Sequence, residues 1–432
     1  MAELGQVYLP EIDEQTAALI CGAESDLRNV FADIEAREAI NTRRVLTAFQ
    51  SHRVSARHFA PTTGYGYDDI GRDNLSDIFA EVLGTEAAIV RPQIVSGTHA
   101  LAITLMGVLR PGQTLLSGAG KPYDTLEEVI GIAGQPGCGS LKDYGVGYRQ
   151  VDMTAGGKLD IPAIVNAIDE HTGLVLLQRS RGYDWRASLS VAELNEAIDA
   201  IHARRADLPV MVDNCYGEFT DVSEPRADIM AGSLIKNPGG GIAPTGGYVA
   251  GRKDLVEQVS YRLTSPGIGA EVGSYAASYQ PFYQGLFTAP HTVAQAVKTA
   301  CLAARVFEKL GFTVHPAYDA PRNDIIEAIR FDDDQKLITF CQAIQMCSPV
   351  DAEALPEPWA MPGYQDPVIM AAGTFVSGAS IELSADAPIR APYIGYLQGG
   401  LTYAHGRIAI EGAVQLMKDR GLITAPDVQS GM

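Results

Sequence analysis

Basic residues are the first shortage: 33 Lys and Arg stand against 52 Asp and Glu, a formal charge of −19 over 432 residues. A field of that sign repels nucleic acid and anionic lipid at long range, so neither is an expected partner. Backbone N–H groups and a few aimed arginines can still hold a small anion. Cysteine is sparse too, with residues 21, 138, 215, 301, 341 and 347 and no CxxC pair. That pattern argues against a zinc cluster or a disulfide framework and suits a reducing cytoplasm. No histidine pair has HExxH spacing, so no metal is expected. The stretches ITLMGVL and PVIMAAGTFV are too short to span a membrane. The opening MAELGQVYLPEIDEQTAALI has early acids where a leader would be basic. These absences lead us to expect a soluble, cytoplasmic protein.

The chain has 46% hydrophobic and 20% charged residues, which rules out disorder as its theme, and its length calls for two packed units. Apolar positions at helical spacing, such as Leu27, Val30, Phe31 and Ile34, mark an N-terminal arm over 1–60. A large domain follows over 61–305. Strands are expected at 87–92, 113–117, 173–178, 209–213 and 229–233, with helices at 74–83, 99–109, 161–168 and 191–205. Strands alternating with helical crossovers imply a mostly parallel α/β sheet, whose ligands gather beyond the carboxyl ends of the strands. A long helix at 291–310 leads into a smaller α+β domain over 306–432. There β-like segments are expected at 325–331, 336–344, 368–376 and 381–384, before a helix at 405–420.

The chemistry concentrates in four places. In AGSLIKNPGGGIAPTGG, residues 231–247, Lys236 precedes glycines whose missing side chains let a cofactor and backbone approach closely. Such an amine suits Schiff-base formation. Read alone, it also suits a solvated lysine before a surface loop. These glycines do not follow the strand-turn-helix GxGxxG pattern of a dinucleotide site. Asp213 closes the apolar run LPVMV and opens DNCYGE, residues 213–218. A carboxylate at that sheet edge can pair with the pyridine nitrogen of pyridoxal phosphate (PLP), and it can equally cap a helix. In IVSGTHA, residues 94–100, a strand gives way to a helix. Ser96, Gly97 and Thr98 there offer free amides and hydroxyls to a phosphate, with Ser233 as a further hydroxyl. Tyr123, in GKPYDTLEE, follows the next strand and could stack on a ring.

Arginine supplies a bidentate fork for a substrate carboxylate. Arg390, in ADAPIRAPY, is favoured over Arg407 because its flanking prolines mark an irregular segment, whereas Arg407 sits in a helical pattern. Arg179 and Arg181 lie just past an inner strand and could face phosphate or a distal substrate group. His52, His58 and His99 are weaker candidates for the pocket rim or helix start.

With these residues in place, the sequence resembles the PLP-dependent fold-type I enzymes of cysteine and methionine metabolism. Within that group it is most similar to the methionine gamma-lyase-related, aluminium-resistance protein family. The resemblance rests on SGTH at 96–99, GKPYDTLEE at 120–128, RSRGY at 179–183, VDNCYGEF at 212–219, GSLIKNPGGG at 232–241 and YLQGGLTY at 396–403. It implies that Lys236 bonds PLP covalently, Asp213 pairs with the ring nitrogen, Tyr123 stacks, and Gly97, Thr98 and Ser233 hold phosphate. It further implies carbon–sulfur lyase activity on a sulfur-containing amino acid, with another PLP reaction (aldol cleavage, replacement or transamination) or a regulatory homologue as alternatives. Relatives of this kind form homo-oligomers, tetramers included, in which a tyrosine and an arginine of the arm reach the neighbouring subunit's phosphate. The matching region here, YGYDDIGR at 65–72, offers Tyr67 and Arg72, five apart where the better-known lyases have two.

Overall fold

Seven strands carry the larger sheet of the computed structural model, which describes residues 8–361 and 366–424. They are β1 (Ala87–Arg91), β2 (Thr114–Ser117), β3 (Gly147–Gln150), β4 (Thr172–Gln178), β5 (Val210–Asp213), β6 (Ile229–Ser233) and β7 (Gly247–Gly251). Their spatial order is β1-β7-β6-β5-β4-β2-β3. β7 runs antiparallel to both neighbours, and the pairings from β6 through to β3 are parallel. β4 reads TGLVLLQ and is buried at every position, as a central strand covered on both faces must be. Its Leu174 and Leu176 share one core with Leu115 of β2, Met211 of β5, Ile229 of β6, and Leu101 and Leu105 from the helix Gly97–Val108. The parallel register sets Gln178 beside Asp213, and Asp213 beside Ala231. The carboxyl ends of β4 and β5 therefore finish level and β6 runs on to Ser233, at the edge where loops can carry chemistry.

β3 and β7 give no strand signal in the sequence. GYRQ lacks an apolar alternation, and β7 hides inside the glycine-rich run. Its glycines serve close packing: a Cβ on Gly247 would lie 2.6 Å from Ile94, and one on Gly251 2.2 Å from the Asp228 carbonyl oxygen.

The second sheet contains β8 (Thr313–His315), β9 (Ile326–Arg330), β10 (Val368–Ala371), β11 (Ser384–Pro388) and β12 (Ile394–Gln398), all antiparallel in the order β10-β11-β12-β9-β8. The expected strand at 336–344 is instead a helix, Asp334–Met346. Asp333 caps it by accepting from the Lys336 amide at 2.9 Å, and Leu337, Phe340, Cys341 and Ile344 are buried at helical spacing. Apolar content suggests a strand there, but the period decides for a helix. The segment expected at 381–384 pairs only from Ser384 onward.

Residues 38–290 form one compact unit, and the described residues up to 37 together with those from 291 onward form the other. The sequence places its boundaries at 60/61 and 305/306 instead. Position 305 falls inside a continuous helix, Gln280–Lys309. The helix Glu14–Asp26 belongs with the C-terminal helix Tyr403–Asp419, where the Thr16 hydroxyl donates to Gln415 Oε1 at 2.8 Å. Residues 1–7, on which the reading against a leader partly rests, lie outside the described residues.

Among the described residues no helix is long and apolar enough to cross a membrane, and no group of three or more His, Cys, Asp or Glu is placed to hold a metal. All six cysteines are free thiols. Cys21 and Cys138 are exposed and the other four are buried.

Candidate active site

The site begins where β5 and β6 end. β6 finishes at Ser233, and the chain turns through Lys236 into a short 3-10 turn, Asn237–Gly239. The Lys236 amine lies 4.0 Å from the centre of the Tyr216 ring. Asn237 anchors this arrangement, since its amide nitrogen donates to the carbonyls of Tyr216 at 2.9 Å and Glu218 at 3.0 Å. Tyr216 and Phe219 have φ of 71° and 64°, a left-handed backbone that non-glycine residues adopt only when their surroundings hold it.

Asp213 is buried, with Oδ1 accepting from the Cys215 amide at 3.2 Å. Burial pushes its carboxyl above the usual range, and the charge of Lys236 pulls the other way. For Lys236, burial lowers the amine's pKa, but Cys215, Tyr216, Asp213 and Glu218 together raise it above the ordinary lysine value. Lysine and aspartate thus sense each other at the sheet edge.

Ser96 caps the helix Gly97–Val108: its Oγ accepts from the His99 amide at 3.0 Å, and its carbonyl accepts from Ala100 at 3.0 Å. The helix itself does not use the amides of Gly97 and Thr98. A Cβ on Gly97 would meet Ser233 Cβ at 3.4 Å and Cys215 Sγ at 3.5 Å. The helix start, the end of β6 and the turn after β5 therefore converge on one small volume. The Thr98 hydroxyl bonds to that of Thr125 at 2.9 Å, tying this loop to the segment that carries Tyr123. The Tyr123 amide donates to Gln178 Oε1 at 2.8 Å, and its ring lies 6.3 Å from that of Tyr183.

Most of the remaining candidates are held by neighbouring protein groups. Arg179 is buried and acts within the framework, donating to Glu224 at 2.9 Å, Asn214 at 2.8 Å and Thr220 at 3.3 Å. Arg181 is fully buried as well. Arg72 is buried, with two donors on Asp73 and one on the Gly66 carbonyl, whereas Tyr67 is 62% exposed beside Tyr65. In the other compact unit, Arg407 pairs with Glu24 and Glu411, and Arg390 is half-exposed against Asp366 at 3.1 Å. The histidines act locally: His52 meets Glu81 at 2.8 Å, while His58 and His99 accept from the backbone amides of Ser55 and Val95.

The profile of the methionine gamma-lyase family matches residues 16–418. The chain belongs to that family. It is 54% identical over 403 residues to the uncharacterized protein YnbB of Bacillus subtilis (strain 168), covering 93% of this chain and 96% of that one. A carbon-sulfur lyase involved in aluminum resistance from Clostridium novyi NT is 50% identical, with a TM-score of 0.90 over 93% of this chain and 96% of that one. The pyridoxal-5'-phosphate-dependent protein YhfS of Escherichia coli shares the fold at 15% identity, with a TM-score of 0.59 over 89% of this chain and 97% of that one. The fold is fold type I of the PLP-dependent enzymes.

The residues present fit that cofactor. The ends of β5 and β6 supply a buried carboxylate and, three residues past Ser233, an amine, while the helix start beside Ser233 and Cys215 offers amides that the helix itself does not use and a glycine with no side chain to fill the space. The sequence offered no role for Tyr216, Glu218, Asn237 or Tyr248. The unbroken polar run DNCYGE straight after a buried strand is the signal that could have found the first two.

Proposed function

We propose that this protein is a PLP-dependent carbon–sulfur lyase that eliminates a thiol from a sulfur-containing amino acid, in the manner of a methionine gamma-lyase or cystathionine beta-lyase. The observation that carries the reading is the placement of the Lys236 amine, held 4.0 Å from the centre of the Tyr216 ring, just past the end of the strand that runs beside the buried Asp213. PLP, when bound, supplies an electron sink conjugated to the substrate α-carbon.

In this reading Lys236 would hold the cofactor, and its Nζ, when free as the neutral amine, would take the substrate α-proton. Asp213 keeps the ring nitrogen protonated. Gly97 and Thr98 hold the phosphate through main-chain amides, with the hydroxyls of Thr98 and Ser233 beside them. Tyr123 covers a face of the ring. Arg390, half-exposed and paired among the described residues with Asp366, would be freer to bind a substrate carboxylate than Arg407, which two acids hold.

The working form in this proposal is a cytoplasmic homo-oligomer, a tetramer in the fullest version. In it the exposed Tyr67 and the buried Arg72, which meets Asp73 within its own chain, would be the pair that serves a neighbouring subunit's phosphate.

The test is product analysis with purified protein, PLP and a panel of methionine, cystathionine, cysteine, homocysteine, threonine and alanine. The expected result is thiol or sulfide with a 2-oxo acid and ammonia. Glycine with an aldehyde would replace the lyase by an aldol-cleaving enzyme, and cofactor binding with no product would favour a regulatory protein. Borohydride reduction followed by peptide mass spectrometry should place the cofactor on Lys236.

A further inference from the structure

Two carboxylates on one turn, Glu218 and Glu224, are both buried and differ sharply in company. Glu224 accepts from Arg179 at 2.9 Å, Arg44 at 3.4 Å, the Phe219 amide at 3.0 Å and the Asn214 side chain at 3.1 Å. Four donors, two of them cationic, hold it ionised and below the usual glutamate range despite burial. Glu218 accepts from the Tyr248 hydroxyl, at 2.8 Å on Oε1, with no cation bonded to it among the described residues. Its Oε2 has no hydrogen-bond partner among the described residues. Leaving a bare carboxylate oxygen in a dry site is costly, so the neutral acid is the stable form. Paired carboxyls whose surroundings push them apart divide their roles in this way.

Glu218 sits against β6, the strand that leads to the lysine: a Cβ on Gly232 would lie 2.7 Å from its Oε1. Its carbonyl is held by Asn237, the residue after Lys236. The groups that face it are Tyr248 on β7, Glu224 and Arg179 of the framework, and Lys236 and Cys215 at the edge of the site.

We infer that Glu218 is a positioning residue for Lys236: a neutral carboxylic acid, hydrogen-bonded to Tyr248 behind β6, whose proton withholds one negative charge from the lysine amine. Loss of that proton adds an anion to those already facing Lys236 and holds the amine as a cation, which can neither attack a carbonyl nor take a proton. The inference rests on the reading of Lys236 as the cofactor anchor, and its test is chosen to stand apart from that reading.

Competitive acylation of the cofactor-free full-length chain, with Lys236 read by mass spectrometry, reports the free-amine fraction in wild type, Glu218→Gln and Tyr248→Phe. Burial pushes the Glu218 carboxyl up to about 8, with the neighbouring Glu224 adding to the shift. Wild type and Glu218→Gln should therefore react alike at about pH 6 to 7, where both are neutral at 218. At about pH 9 the wild-type lysine should be slower by about three- to tenfold, as an added nearby charge demands. Tyr248→Phe removes a donor that favours the ionised acid, so it should follow Glu218→Gln to higher pH than wild type does. It also carries the test if Glu218→Gln fails to fold. Divergence already present at pH 6 would overturn the inference, and so would coincidence of all three at pH 9. Absence of a lysine–cofactor absorption band when PLP is added would sink the proposed function and leave this result standing.

Discussion

The side-chain amide of Asn237 donates to the main-chain carbonyl of Tyr216 across 2.9 Å, and so joins the loop behind Lys236 to the ring in front of it. Asn237→Ala should leave the carbonyls of Tyr216 and Glu218 without that donor. A loss of about 1–3 kcal/mol is expected in urea denaturation, the range for an unsatisfied buried polar group. Asn237→Asp should cost more, because it sets an acceptor against two acceptors.

Gly97→Ala separates cofactor binding from folding. The new methyl group meets Ser233 and Cys215 at 3.4 and 3.5 Å, about ordinary contact, and alanine favours a helix. The melting temperature without cofactor should hold or rise. Affinity for PLP, measured by fluorescence titration, should fall by about tenfold or more, the equivalent of about 1.4 kcal/mol. Unchanged affinity would remove Gly97 from the phosphate cradle.

Arg179 predicts a framework defect. Arg179→Ala strips the Glu224 carboxylate of its closest cation and should cost about 3–5 kcal/mol in denaturant unfolding. Pairing Arg179→Met with Glu224→Gln removes both charges together and should recover much of that loss. If the single variant keeps full stability but fails to bind substrate, Arg179 is a ligand-facing residue after all.

The pH dependence of stability follows from Glu218. Its carboxyl ionises near 4.5 in an unstructured chain and at about 8 in the fold, raised by burial. The folded chain therefore holds one more proton between those values. Its contribution to stability is fully present below about pH 4.5 and is lost as pH rises through about 8. Glu218→Gln lacks that slope. The melting temperature of wild type relative to this variant should fall from about pH 5 to 8 and then level. A flat difference across that window would mean the acid does not titrate there.

Much of the sheet was legible because its central strands are continuous apolar runs with helical stretches between them, and LPVMVD and IMAGS say nearly where the chain stops. The strands β3 and β7 escaped notice, one for want of a pattern and one because its glycines read as loop. The helix Asp334–Met346 was mistaken for a strand on composition, although Leu337, Phe340, Cys341 and Ile344 already have helical spacing. At the candidate site, Lys236, Asp213 and Gly97 stood out because each interrupts a regular element. The acid partners of Arg72 and Arg179 within the chain did not, since a guanidinium in a motif looks the same whether it meets a phosphate or a neighbouring acid. The Glu218–Tyr248 pair was invisible for another reason: 30 residues separate its members, and only the antiparallel return of β7 brings them together.

The distribution of thiols has a practical side. Cys21 and Cys138 are exposed, while Cys215 is buried beside the lysine and its thiol is pushed well above the ordinary range by burial. Maleimide dyes should therefore load the two surface positions of the native protein and leave the site untouched. Cys21 belongs to one compact unit and Cys138 to the other. A donor and acceptor on this natural pair would report by energy transfer, without any engineered cysteine, whether the two units change their separation when an amino acid is added.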